Sequence, residues 1–193
     1  MSSNAIYLVL DMENDLVHAD GPNGKGPLGE QVRARNIIAN TQRALDKARA
    51  AGLLVGYVRV GFSPDYRECP RTSQIFSHAR QAGLFKLGTW GTEIHPDLKP
   101  GSGDFDIVKH RVSPFYGTSL EPILRAHAIE KIYVSGVSTV AVVQAAVREA
   151  HDRDYLVTII EDGCCCPTAE QHAAAMLVLG RFADVTTSGD VKF

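Results

Sequence analysis

The sequence predicts one α/β domain, residues 1–193, in which helices cover both faces of a parallel sheet. Apolar runs typical of strands buried on both faces alternate with segments of helical periodicity, and this alternation implies parallel strands joined by right-handed crossovers. The 193 residues, 45% hydrophobic and 22% charged, suffice for one ordinary core, and no internal repeat or linker divides them.

The first half of the chain is predicted to hold two strands, one long helix and a stretch of irregular chain. Residues 5–10 form a continuous apolar run, and helical spacing over 28–51 ends at Gly52, a residue free to adopt positive φ. Residues 53–60 are the second predicted strand. Prolines and glycines over 61–103 predict an irregular excursion with short helical pieces, long enough to form a lid or a pocket wall.

The second half continues the alternation. Its predicted strands span residues 105–109, 131–135, 155–160 and 183–187. A capping box running from Thr118 to Glu121 predicts a helix over 119–128.

Two more helices follow the fourth and fifth predicted strands. Ser138 or Thr139 is predicted to cap the first of them, which extends to Arg153, and Pro167 is predicted to occupy the first turn of the second. The first helix is apolar on nearly every face through Ala146, so we expect it to be deeply buried or to form a subunit contact.

Composition argues against several classes of function. The net charge of −2 and the lack of a basic stripe disfavour binding to nucleic acid or to a membrane surface. The N-terminal apolar stretch is too short for a signal peptide or a membrane span, which predicts a cytoplasmic protein. Cys69 stands alone and residues 164–166 are three consecutive cysteines, a pattern that does not form a disulfide framework.

Candidate catalytic residues lie at the carboxyl ends of the predicted strands, where open α/β sheets bind ligands. Asp11 follows the first strand, and a buried carboxylate is costly unless it is paired or reactive. Lys109 ends the third strand and can neutralise such a carboxylate. Each residue has an equally weighted ordinary interpretation, a turn aspartate for Asp11 and a solvent-reaching charge for Lys109.

A third strand end supplies backbone donors. The turn through Val137, Ser138 and Thr139 opens a helix, whose free N–H groups can bind an anion or a developing oxyanion. No thiol lies in the first helical turn that follows.

Several segments together resemble the isochorismatase-like hydrolases, also called cysteine hydrolases, over nearly the whole chain. They are LVLDMEND at 8–15, KHRVSPFYGT at 109–118 with Leu120 and Glu121, GVST at 136–139, Arg148, Ala150, Glu161 and Asp162. The resemblance implies a Rossmann-like, three-layer α/β/α fold with a six-stranded parallel sheet of order 3-2-1-4-5-6. It also implies a homodimer or homotetramer.

The resemblance also implies site residues. The family's catalytic Asp and Lys correspond to Asp11 and Lys109, whereas its nucleophilic Cys corresponds to Val142 and its Gln two places after the Asp to Glu13. Members often have a cis peptide in the turn, which would join Val137 to Ser138. The metal ligands of the nicotinamidase-like branch do not occur after the second strand, so neither a metal nor another cofactor is expected.

Because a valine side chain cannot attack a carbonyl, Val142 excludes an acyl-enzyme route. True isochorismatases resemble this pattern, since they lack the Cys and use an Asp and a Lys with water to hydrolyse a vinyl ether. We therefore expect a hydrolase of a small molecule that uses water with Asp11 and Lys109, on a vinyl-ether or C–N bond. Two alternatives stay open: a catalytically silent small-molecule binder, and a redox role for cysteines 164–166, for which packing is the favoured interpretation.

Five further residues are candidates for binding the substrate. Phe62, Trp90, Phe115 and Tyr116 are predicted to form the pocket wall, and Arg59 to anchor a carboxylate. Core packing is an equally weighted interpretation of each aromatic residue.

Overall fold

In the computed structural model, residues 4–193 form a parallel sheet with helices on both sides. Its strands are β1 (Ala5–Leu10), β2 (Leu54–Val60), β3 (Phe105–Lys109), β4 (Lys131–Val137), β5 (Leu156–Cys165) and β6 (Asp184–Thr186). All neighbouring pairs are parallel, and the strand order is β3-β2-β1-β4-β5-β6. The predicted fold class and strand order are confirmed. Residues 1–3, which the predicted domain includes, lie outside the described part.

The helices connect the strands. They are α1 (Asn14–Val17), α2 (Pro27–Ala34), α3 (Ile37–Ala50), α4 (Ala79–Ala82), α5 (Leu120–Ala126), α6 (Gln144–His151) and α7 (Ala169–Leu179). Two 3-10 turns, Trp90–Thr92 and Pro96–Leu98, lie in the predicted irregular excursion, and a π-helical turn, Thr139–Val143, leads directly into α6. None of the helices within residues 4–193 has the length and apolar character that crossing a membrane requires.

Strand β1 lies at the centre of the sheet and is buried along its whole length. Because successive side chains of a strand point to opposite faces, Ile6 and Leu8 join the core beneath α5 and α6, whereas Tyr7 and Val9 join the core beneath α3. This two-sided burial explains the continuous apolar run in the sequence. The carboxyl end of β1 therefore lies between the two layers of helices.

The long helix predicted over 28–51 is two helices. Asn36 has a left-handed backbone (φ 53°) and separates α2 from α3. At the break, the guanidinium of Arg35 turns toward β5 and donates to Glu161 Oε1 at 2.5 Å. The prediction of one helix was wrong because the apolar spacing continues across the break. Such spacing gives no sign that one residue, Asn36, has a left-handed backbone. Gly52 has positive φ (73°) after α3, as predicted.

The predicted capping box does not form. The Thr118 hydroxyl accepts a hydrogen bond from the Leu120 amide (3.1 Å), but the helix begins only at Leu120. The Glu121 carboxylate, instead of returning to the cap, pairs with Arg125 (2.8 Å) and Arg153 (3.4 Å). Two guanidinium partners thus replace one backbone N–H.

The caps predicted at Ser138 or Thr139 are also absent as side-chain caps. Instead, the Ser138 carbonyl oxygen accepts hydrogen bonds from the amides of Ala141 (3.1 Å) and Val143 (3.4 Å). The π-helical turn therefore begins through backbone contacts, and α6 ends at His151 rather than at residue 153.

Pro167 lies one residue before the N-cap of α7 rather than in its first turn. Thr168 is the N-cap, and its hydroxyl accepts a hydrogen bond from the Gln171 amide (3.2 Å). Because Thr168 is the N-cap, Pro167 lies two positions before Ala169, the first residue of the helix. The helical segment before α7, residues 139–146, is buried on one face only: Thr139, Val142, Val143 and Ala146 are buried, whereas Val140 is 41% exposed, so the deep burial expected of this segment is only partly observed. A subunit contact there stays a prediction.

Gly136 lets β4 pass close to β1 near the carboxyl edge of the sheet. Its φ is +154°, and a Cβ atom added there would lie 2.3 Å from the Leu10 carbonyl oxygen. We expect Gly136→Ala to lower the free energy of unfolding by about 2–4 kcal/mol in urea denaturation. Gly103→Ala is the matched control, because an added Cβ there meets nothing within 4 Å. Equal stabilities of the two variants would contradict this prediction.

Candidate active site

Asp11 and Lys109 meet at the carboxyl edge of the sheet. Asp11 directly follows β1 in a left-handed conformation (φ 55°), and its amide donates to the Val58 carbonyl oxygen of β2 at 2.7 Å. Lys109 is the last residue of β3, on the other side of β2. Its long side chain reaches past the end of β2, and its Nζ lies 2.9 Å from Asp11 Oδ2. The fold thus brings together two residues 98 positions apart in the sequence.

The ion pair is buried and its members are unequally satisfied. Lys109 Nζ also donates to the Arg111 carbonyl oxygen at 3.1 Å. Asp11 Oδ1, by contrast, has no hydrogen-bond donor among residues 4–193. A buried carboxylate oxygen without a donor is energetically costly, so Asp11 Oδ1 is a free acceptor for a ligand or a water molecule.

Burial dominates the acid–base character of this edge. It raises the pKa of the Asp11 carboxyl, and the Lys109 ammonium counteracts this only in part. The pKa of Glu13 is raised well above its ordinary value, first by burial and then by the neighbouring Asp11 charge. Neither carboxyl oxygen of Glu13 finds a donor within the described residues. These surroundings favour the neutral form of Glu13.

Replacing Glu13 by Gln should change how stability depends on pH. A carboxyl whose pKa is raised on folding contributes stability below its unfolded pKa, near 4.5, and this is lost as the pH rises toward the folded pKa. Glutamine stays neutral at every pH. We therefore expect Glu13→Gln to match the wild type near pH 4 and to exceed it by about 1–2 kcal/mol at pH 8 in urea unfolding. The exposed Glu93→Gln is the control, and an advantage of Glu13→Gln that does not grow with pH would refute the prediction.

The turn after β4 completes one wall of a cavity beside the ion pair. A cis peptide joins Val137 to Ser138, at the place that the family resemblance implied. The cavity has a volume of about 370 Å³, which is enough for a small molecule. Five of the predicted site residues line it: Asp11, Lys109, Val137, Ser138 and Val142.

The rest of the cavity wall is mainly apolar. Leu16, Leu28, Val60, Ile75, Phe76, Ala79, Leu84, Phe85, Val112, Ala141 and Pro167 line it, together with the polar side chains of Asn23 and His78. Six of the lining residues lie in the irregular excursion that the sequence predicted as a lid or pocket wall: Ile75, Phe76, His78, Ala79, Leu84 and Phe85. Its individual residues were missed because irregular chain has no periodicity that assigns side chains to a face.

Seven predicted binding residues do not line this cavity, and five of them are buried elsewhere or exposed at the surface. Glu13 is buried beside Asp11, Phe62 packs in a separate cluster with Phe76 and Phe85, and Thr139 is buried. Phe115 belongs to the core, and Tyr116 is 68% exposed. The prediction of a pocket wall at Phe62, Phe115 and Tyr116 was therefore wrong for this cavity.

Arg59 and Trp90 line a different cavity on the opposite side of β2. Since neighbouring strand residues alternate, Val60 faces the first cavity and Arg59 faces away from it. The Arg59 guanidinium is bidentate with the Asp106 carboxylate, at 2.6 and 2.7 Å. In this position Arg59 cannot anchor a carboxylate beside Asp11, which corrects the prediction.

A polar network behind the turn was not predicted. Thr139 Oγ1 lies 2.8 Å from His172 Nδ1, and His172 Nε2 lies 2.7 Å from Glu161 Oε1. Although burial raises it, hydrogen bonds from His172 and Arg35 lower the pKa of Glu161 overall. The network ties the turn to β5, α7 and the break between α2 and α3. No sequence signal joined these residues, because they come from four distant segments.

The three consecutive cysteines are fully buried, as the packing interpretation predicts. Strand β5 extends through Cys165, beside β4, and burial raises the pKa of the Cys165 thiol to about 12. The same cause raises the pKa of Cys164 further. Such thiols are poor nucleophiles at neutral pH. Within residues 4–193, no cluster of three or more His, Cys, Asp or Glu side chains could hold a metal ion.

Comparison with known proteins supports the resemblance. A family model described as the isochorismatase domain matches residues 5–190. The chain is 32% identical over 141 residues to the ureidoacrylate amidohydrolase RutB of Rhizobium rhizogenes (strain K84 / ATCC BAA-868), covering 67% of this chain and 57% of that protein. It is 29% identical over 201 residues to the RutB of Caulobacter segnis, covering 96% and 83%. The match thus spans little more than half of the Rhizobium protein.

A solved structure shows the same architecture. The isochorismatase family protein from Desulfovibrio vulgaris subsp. vulgaris str. Hildenborough superposes with a TM-score of 0.84 at 25% sequence identity. The superposition covers 97% of this chain and 95% of that one.

Proposed function

The chain belongs to the isochorismatase family, and on that premise we propose that it is a hydrolase that attacks a C–N bond of a small molecule with water activated by Asp11 and Lys109. The single observation that carries the proposal is the buried ion pair on the cavity wall. Relatives named ureidoacrylate amidohydrolases, at 29–32% identity, support a C–N bond over a vinyl ether.

The two carboxylate oxygens of Asp11 differ in their hydrogen bonding, and this difference defines the proposed role of the residue. Lys109 holds Oδ2, so Oδ1 is available to accept a hydrogen bond from the attacking water. As general base, Asp11 takes the proton of this water; as general acid, it then returns the proton to the departing nitrogen. The Lys109 ammonium orients the carboxylate and compensates its charge in a buried setting.

The turn after β4 supplies the electrostatic part of the proposal. Negative charge develops on the carbonyl oxygen as water attacks, and backbone amides around Ser138 and Val142 are the proposed donors. The Val142 side chain lies on the cavity wall and carries no nucleophilic atom, so no covalent intermediate forms there. Water therefore attacks the substrate directly.

A screen for C–N hydrolysis tests this proposal. Amides and ureido compounds are incubated with the protein, and released ammonia is measured before and after treatment with iodoacetamide. We expect turnover that survives alkylation, because the proposed route uses no thiol. Loss of turnover in proportion to labelled cysteine would contradict the proposed mechanism.

A second candidate function, motivated by the valine on the cavity wall, is a small-molecule binder without activity. The same compounds distinguish it. Ligands that raise the melting temperature without any turnover across the screen would favour the binder over the hydrolase.

A further inference from the structure

We propose that the substrate of this cavity is an uncharged amide with an apolar acyl group. This inference rests on the proposed function and specifies its substrate class. It is carried by the charges and contacts of the cavity wall, which leave no cation free for an anionic substrate.

The wall is built for an apolar group. Thirteen of its eighteen lining residues are apolar, among them Phe76, Leu84, Phe85 and Val112. Burying a hydrocarbon group against such a surface makes binding more favourable. A carboxylate placed there would lose its hydration without gaining a hydrogen-bonding or charged partner. Three of the five polar lining residues, Asp11, Lys109 and Ser138, lie at the carboxyl ends of β1, β3 and β4, where they can meet a single reacting amide.

The one strong cation of the wall is already neutralised. Among residues 4–193, Lys109 is the only lysine or arginine that lines the cavity, and its ammonium is bound to Asp11 Oδ2 at 2.9 Å and to the Arg111 carbonyl oxygen at 3.1 Å. Arg59 faces the other side of β2 and is bidentate with Asp106. A substrate carboxylate therefore finds no free guanidinium or ammonium.

A further carboxyl group makes the surroundings still less suited to an anion. Asp15 is buried behind the wall, where its Oδ2 accepts a hydrogen bond from the Phe85 amide at 2.7 Å. His78, the remaining titratable group on the wall, is exposed, so solvent screens any charge that it carries.

The reaction on such a substrate balances without another reactant. Water adds its oxygen to the carbonyl carbon of R–CO–NH2 while Asp11 takes its proton; the C–N bond then breaks, and the proton returns to the leaving nitrogen. The products are R–COOH and NH3, and the acid ionises as it leaves. The same lack of a free cation that rejects an anionic substrate also favours release of this carboxylate product.

Matched pairs of amides test the inference. Hexanamide is compared with adipamate, which carries a carboxylate in place of the terminal methyl, and benzamide with 4-carbamoylbenzoate. We expect kcat/KM of the uncharged member to exceed that of its anionic partner by at least about 100-fold in each pair. Binding of all four compounds is measured by calorimetry in parallel, so a slow chemical step does not hide the preference.

Two variants separate charge from shape. Val112→Arg places a cation on the wall and should narrow the gap within each pair by at least about tenfold, whereas Val112→Met, similar in length and uncharged, should leave it unchanged. His78→Gln should also leave the preference unchanged, since that imidazole is exposed.

The outcomes distinguish this inference from the proposed function. Equal or better binding and turnover of the anionic members would overturn the substrate class while the hydrolase stands. The same holds if the protein neither binds nor hydrolyses any of the four but cleaves other C–N compounds. Absence of hydrolysis of every C–N compound, with binding of hexanamide or benzamide retained, would overturn the hydrolase alone.

Discussion

Replacing Asp11 by Asn is expected to lower kcat/KM for a C–N substrate by about 100-fold to 10,000-fold, the usual contribution of a general acid–base group. Asparagine has nearly the same shape, but its amide cannot take a proton from water. The loss should appear mainly in kcat, because the apolar wall that binds the substrate is unaltered. Steady-state kinetics of ammonia release measure it.

The control for this variant is another aspartate in an ion pair. Asp106→Asn removes the partner of Arg59, which lies outside the cavity, and should keep nearly full activity. Calorimetric binding of the substrate to Asp11→Asn shows whether the site is still formed. Full turnover by a folded Asp11→Asn protein would rule out the proposed role of Asp11.

Replacing Lys109 by Met is expected to reduce both stability and activity. It leaves the Asp11 carboxylate buried without a partner, and breaking a buried ion pair in this way costs about 3–5 kcal/mol. Without the ammonium, the pKa of Asp11 rises further, so less of the carboxylate is ionised to act as a base. We expect a marked drop in the urea midpoint and a shift of the acidic limb of the rate profile to higher pH.

A double variant measures the interaction between Asp11 and Lys109 separately from the contribution of each residue. Asp11→Asn with Lys109→Met removes both charges, so it should be more stable than Lys109→Met alone, with a coupling of about 1–3 kcal/mol. Lys25→Met, at an exposed position, serves as the control and should change neither stability nor activity. If the double variant were less stable than Lys109→Met by the full cost of Asp11→Asn, the two residues would not interact as the structure indicates.

Much of the fold could be predicted because parallel strands leave a strong pattern. A strand buried on both faces must be apolar throughout, so β1 is visible as residues 5–10 without reference to the rest of the chain. Helix ends were harder to predict. At the break between α2 and α3, Arg35 pairs with Glu161 of β5, and the Glu121 side chain, which the predicted capping box requires, pairs with Arg125 and with the distant Arg153.

The same contrast holds for the candidate site. Asp11 and Lys109 could be identified because the ends of parallel strands converge at one edge of the sheet. Phe115 and Tyr116 were assigned wrongly to the pocket wall because an aromatic residue near a strand end packs in the core or reaches solvent as readily as it lines a cavity. Arg59 was misassigned for another reason: its chemistry suits a carboxylate, but its strand places it on the wrong face.

By itself, the sequence determined a six-stranded α/β domain with an aspartate and a lysine at its carboxyl edge. These features follow from local patterns, because burial on both faces of a strand, strand ends and residue chemistry can each be recognised from neighbouring residues in the sequence. Only the tertiary structure decided that Lys109 reaches Asp11 while Arg59 turns away, and that an irregular segment closes an apolar cavity over them. These contacts form between side chains that are distant in sequence. Their free energy therefore depends on the packing of the whole sheet and cannot be assigned to a local sequence pattern.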